Sequence, residues 1–108
     1  MAIFIVRMEH PEGPLWASYV LEHIAYLQTL IEAGHLLASG PVKGSLLRAG
    51  FLVFKADSIL QVQALINEDP FARENIICAL TIEQWDPLFG LLAEESSQQL
   101  PSDLAKAT

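Results

Sequence analysis

The sequence predicts an α+β sandwich whose elements run strand, helix, strand, strand, helix, strand. Three observations carry this reading. Apolar residues recur at helical spacing from Leu15 to Ala33 and again from Ile59 to Ile66. Short β-branched or alternating runs flank both stretches, and clusters of Gly, Pro, Asn and Asp separate them.

Taken in order, Ile3 to Met8 is a short buried strand stopped by His10-Pro11-Glu12-Gly13-Pro14. Pro14 suits a helix start and Gly34 the position just past a helix end, which bounds the first helix. Within it Val20, Ile24, Leu27, Leu30 and Ile31 form an apolar stripe, and His23 sits inside that stripe. His35 to Ala38 and Gly50 to Lys55 read as two strands joined by the loop SGPVKGSLLRAG. Asp57 or Ser58 caps a second helix with Ile59, Val62, Leu65 and Ile66 on its buried side, ended by Asn67-Glu68-Asp69-Pro70. Ile76 to Trp85 is the last strand, with Ala79, Thr81, Glu83 and Trp85 on one face and Leu80, Ile82 and Gln84 on the other. This is the split βαβ order of a ferredoxin-like sandwich, in which one sheet face meets two helices and the other lies open. An open apolar face favours pairing of two copies, here a dimeric α+β barrel.

Residues 1–92 are expected to form a single domain. Residues 93–108, AEESSQQLPSDLAKAT, are expected to form a polar tail, mobile or packed on a partner, with Leu100 and Leu104 its few anchors. An apolar content of 52% is high for 108 residues, so some of it is expected between subunits or around a ligand, as in a homodimer. A net charge of −7 with only 6 scattered Lys and Arg argues against a phosphate-binding surface, so no nucleic acid partner is expected. No run reaches the roughly 20 apolar residues of a membrane span, and MAIFIVRMEHP lacks a secretory leader's basic start, so no membrane partner and a cytoplasmic location are expected. The single Cys78 lies among Ile76, Ile77, Ala79 and Leu80 and reads as a core thiol.

GxSxG, CxxC and HExxH are absent, and His10, His23 and His35 lack ligand-like spacing, so no metal is expected. No glycine-rich phosphate cradle opens a helix, so no nucleotide cofactor is expected either. What remains is His23, with Asp69 at the end of the second helix as the acid placed to meet it. A carboxylate accepting the Nδ1 proton of an imidazole leaves Nε2 free as a base and stabilises the imidazolium that forms. From the residues alone the bland reading stands beside it: a histidine on an apolar stripe is often a core residue, and Asp before Pro often a turn former.

The stretch EHIAYLQTLIEAGHLLASGPV, Glu22 to Val42, resembles the YCII family pattern of a His, a Leu-rich helix, Gly and then Ser-Gly-Pro, and EDPF, Glu68 to Phe71, resembles its second motif. The resemblance runs to about residue 90 and takes in IEQWDPLFG. It implies a dimeric ferredoxin-like fold with a His-Asp dyad at His23 and Asp69, Ser39, Gly40 and Pro41 beside the pocket, and Pro70 and Phe71 next to the aspartate. Many members carry Arg three residues before the histidine, where this chain has Val20. With Trp16 and Tyr19 nearby, the mouth is expected to be aromatic and uncharged, suited to a planar, mostly neutral ring.

The resemblance extends to an activity: a cofactor-independent lyase in aromatic degradation, eliminating HCl from a chlorinated hydroxyquinol, with His23 and Asp69 catalytic and a small aromatic or quinone-like substrate. Three rivals stay open on sequence. They are an isomerase or lactone-processing enzyme on the same scaffold, a non-catalytic module binding a small ligand, and a structural dimer in which His23 bonds a backbone carbonyl.

Overall fold

The computed structural model describes residues 1–102. The elements are β1 (Ala2–Glu9), α1 (Leu15–Glu32), β2 (Leu36–Pro41), β3 (Ala49–Ala56), α2 (Ile59–Asn67), α3 (Pro70–Arg73) and β4 (Ala79–Trp85), followed by one 3-10 turn at Ala93–Glu95. Four antiparallel strands form an open sheet in the order β2-β3-β1-β4, so the fold is α+β and ferredoxin-like. The first strand lies inside the sheet: Ile5 faces Val53 on one side and Glu83 on the other.

Because strand side chains alternate, one face of β1 and β3 presents Phe4, Val6, Met8, Leu52, Phe54 and Ala56, all buried. These meet Leu30 of α1 and Val62 and Ile66 of α2 in a single core. Both helix ends follow the local chemistry of their sequences. Gly34, at φ +81°, lets the chain turn after α1, where His35 N–H donates to Leu30 O and Gly34 N–H to Ile31 O. Ser58 is the residue that caps α2, its Oγ accepting from Gln61 N–H at 3.2 Å.

Several boundaries differ from the sequence expectation, each for a physical reason. Ser39 to Pro41 is strand rather than loop, because β2 stays paired with Leu52, Phe51 and Gly50 of β3. Pro70 does stop α2, but its fixed φ suits a first helical position, and with Asp69 as cap it starts the short α3. Residues 76–78 lead into β4 instead of belonging to it, and Cys78 is exposed, its thiol donating to Glu9 O at 3.5 Å, so the expected core thiol is a surface one. On the helices Ile59, Ile24 and Ile31 are 49%, 45% and 51% exposed, so the α1 stripe divides: Leu30 enters the core with Leu27 packed against it, while Ile24 and Ile31 do not.

The other sheet face carries Ile3, Ile5, Phe51, Val53 and Trp85. The segment after β4 folds back onto the chain: Lys55 Nζ pairs with Glu95 at 2.6 Å, and Ser97 bonds to Asp86 through both its N–H and its hydroxyl. Leu104 lies outside the described residues. No helix among the described residues is long and apolar enough to cross a membrane.

Phe54 fills the centre of the core between the sheet and both helices. Phe54→Ala is expected to cost about 3–5 kcal/mol, read as a lower urea midpoint at unchanged slope.

Candidate active site

α1 and α2 lie side by side on the core face of the sheet, and one hydrogen bond ties them: Tyr26 Oη donates to Leu65 O at 2.6 Å. His23 stands one helical turn before Tyr26, and Asp69 one turn after Leu65. The tie that aligns the helices therefore aligns the next pair along, and His23 Nδ1 lies 2.8 Å from Asp69 Oδ2 and 3.0 Å from Oδ1. A carboxylate only accepts, so Nδ1 carries the proton and Nε2 has no hydrogen-bond partner among the described residues. Both groups are largely buried, with side-chain exposures of 13% and 3%.

Asp69 also caps α3, its Oδ1 accepting from Phe71 N–H at 2.9 Å. The turn-forming role of an Asp before Pro and the partnership with histidine are thus both present, in one side chain. The cap seats Phe71 beneath the His23 imidazole, with centroids 4.2 Å apart and planes 16° from parallel. The ring, the carboxylate and the helix together fix the imidazole's position and orientation.

In front of His23 opens a cavity of about 690 Å³ between α1 and the β2–β3 edge of the sheet. Val20, Ile24 and Ile31 form its helix wall, which accounts for their incomplete burial. Trp16, Phe71, Ser39, Gly40 and Pro41 also line it. Pro70 is buried at the start of α3, outside the wall. Tyr19 lies outside it too, near Glu74, whose negative charge pushes the phenol above its usual range.

Two further polar residues of the wall escaped the sequence reading. Arg48 sits on the loop entering β3 and stacks its guanidinium over Trp16, 3.8 Å from the ring centroid. With Lys43 also in the wall, the mouth is cationic, not uncharged as expected; the positive charge absent at Val20 arrives from another element. No sequence periodicity marks Arg48, which reaches the site because Arg48 O accepts from His10 N–H at 2.9 Å, extending the β1–β3 ladder. His10 is the second. It continues the inward alternation Phe4, Val6, Met8, a signal that was available, and it is 3% exposed. Its Nδ1 lies 2.7 Å from Ile76 O, and its ring tilts on Phe71 at 4.7 Å. Burial holds His10 below the ordinary histidine range; the Ile76 hydrogen bond and Asp69 oppose this, while the charges of His23 and Arg48 add to it. No group of three or more metal-ligating side chains occurs among the described residues.

The YCII-related domain matches residues 1–86. The chain belongs to the YCII-related family. No curated protein matches the sequence. Among solved structures, this YCII-related chain is similar to 5-chloro-2-hydroxyhydroquinone dehydrochlorinase from Burkholderia phenoliruptrix AC1100, solved in complex with 2,5-dihydroxybenzoquinone. That match has a TM-score of 0.68 at 22% identity, covering 78% of this chain and 93% of that one. A dimeric ferredoxin-like protein from Jannaschia sp. CCS1 matches with a TM-score of 0.48 at 19% identity, covering 80% of this chain and 99% of that one. The likeness to the dehydrochlorinase agrees with the ferredoxin-like fold of the YCII-related chain.

His10 is held below its unfolded value, so the unfolded chain binds the extra proton first, and stability falls as pH drops through the ordinary histidine value. The stability advantage of wild type over His10→Asn is expected to be full at pH 8 and to shrink toward pH 5. Urea unfolding of both proteins across that range measures it.

Proposed function

We propose that this protein is a cofactor-independent lyase that removes HCl from a chlorinated, hydroxylated ring. The observation that carries the reading is His23, with Nδ1–H engaged by Asp69 at 2.8 Å and Nε2 unengaged in the wall of an aromatic-lined cavity. The arrangement is a base of fixed tautomer with its counter-charge in place. The dehydrochlorinase of similar fold, solved with a dihydroxyquinone, supports the choice of substrate class.

In this reading the ring lies between the α1 wall and the sheet edge, near Phe71 and Trp16. His23 Nε2 takes the proton of a ring hydroxyl in the keto tautomer, whose tetrahedral carbon carries the chlorine. The O–H electron pair becomes the new carbonyl bond, the ring double-bond pair of that carbon shifts to form a new double bond to the carbon bearing chlorine, and the C–Cl bond breaks with chloride leaving with its pair. The organic product is a hydroxylated quinone, and the net change is loss of one proton and one chloride with no external oxidant. Asp69 stabilises the imidazolium while it exists, and Arg48 at the mouth favours the negative charge that develops on oxygen and on departing chloride. Ser39 and the backbone of Gly40 offer hydrogen bonds along the strand side.

The assembly that fits this reading is a homodimer. Phe51 and Trp85 stay 40% and 42% exposed on the outer sheet face, beside Ile5. That is apolar surface of the kind the composition places between subunits.

Two measurements follow. Asn keeps an oxygen to cap α3 but cannot hold the Nδ1–H with two charged oxygens. Asp69→Asn should therefore fold with near-native stability and lose about 10²–10⁴-fold in chloride release from chlorinated hydroxyquinols, with His23→Ala at least as impaired. Full turnover by either variant would sink the dyad. Sedimentation equilibrium should give twice the 11.9 kDa chain mass for wild type and the monomer for Phe51→Glu, with the fold retained by circular dichroism.

A further inference from the structure

The mechanism above leaves a second buried imidazole unused. His10 Nδ1 faces the Ile76 carbonyl at 2.7 Å, and a carbonyl only accepts, so this nitrogen carries the ring proton. Nε2 is then a lone-pair acceptor, and no donor among the described residues reaches it. Among the described residues no fully buried side-chain nitrogen or oxygen lacks a partner. The unpartnered Nε2 therefore lies on the small exposed part of His10, which borders the cavity and the adjoining hollow of about 260 Å³ beyond Trp16 and Arg48. His10 and His23 both contact Phe71, at 4.7 and 4.2 Å between centroids, and both line the cavity.

We propose that His10 is a specificity-determining residue of this cavity: its Nε2 accepts a hydrogen bond from a second hydroxyl of the bound ring, so the site selects rings bearing at least two protic groups. The proposal deepens the lyase reading and rests on it for the identity of the ring. Its physical basis is asymmetric. A ligand with one hydroxyl satisfies His23 and leaves the His10 acceptor stripped of water and unpaired, which costs more than the bond itself contributes. Burial and the neighbouring positive charges keep His10 neutral, and so an acceptor.

The test uses binding, without turnover. Hydroquinone and 4-methoxyphenol are near-isosteric and differ in having two hydroxyls or one. Calorimetric titration of wild type is expected to favour hydroquinone by about ten-fold. In His10→Asn the side-chain amide keeps the donor to Ile76 O but has no atom at the Nε2 position. This variant should fold cooperatively, although less stably than wild type, bind 4-methoxyphenol as wild type does at a temperature well below its melting point, and lose the preference. His10→Gln, whose amide oxygen falls near Nε2, should restore part of it. A merely structural role for His10 would leave the preference unmoved in a folded His10→Asn, and that result overturns the proposal; so does wild type that binds neither ring. A His10-dependent preference without chloride release from any chlorinated ring would sink the lyase reading and leave His10 as the hydroxyl sensor. Chloride release with no such preference would do the reverse.

Discussion

The site depends on one carboxylate. Asp69 closes α2, caps α3 through the Phe71 N–H and holds His23 Nδ1, with its side chain almost wholly withdrawn from water. A buried carboxylate is stable only when its oxygens are taken up by donors, and here a backbone amide and an imidazole supply them. Pro70 forces the break between the helices that makes the cap necessary, and the cap seats the ring on which His23 and His10 both rest. Local backbone chemistry and candidate catalytic chemistry thus share the same atoms. Tyr26 ties the two helices one turn from the pair, through its bond to Leu65 O.

Charge is distributed against the average of the chain. The protein carries −7 overall, yet the cavity mouth holds Arg48 and Lys43, with two imidazoles behind them. Near the mouth, and within a Debye length of about 8 Å at physiological salt, these local cations outweigh the distant acids. A negatively charged group inside the cavity would lie close to Arg48 and Lys43, against the sign of the chain as a whole.

Much of this was legible in the sequence where a local rule acts alone. The strand and helix order followed from periodicity, the α1 end from Gly34, and the α2 cap from Ser58. His23 and Asp69 stood out as an acid and a base on elements that the topology lays together, and the structure places them in contact. Harder to see was whatever depends on register between distant segments. Arg48 is brought in by a ladder bond to His10, and His10 by a carbonyl 66 positions further along the chain. The sequence shows that Ile24 and Ile31 lie on an apolar stripe, but not that the stripe faces a hollow instead of the core. Cys78 was misread because an apolar neighbourhood in sequence is not burial when the strand begins one residue later.

The division of the α1 stripe has an evolutionary consequence. Leu30 belongs to the core, so a change there is paid in stability, whereas Val20, Ile24 and Ile31 face the cavity and carry little of the fold. Their size can drift by a methyl group or two with the scaffold intact and the dyad held in place by separate hydrogen bonds. Such a helix lets one lineage refit its pocket to differently shaped ligands while the His23–Asp69 pair is inherited unchanged.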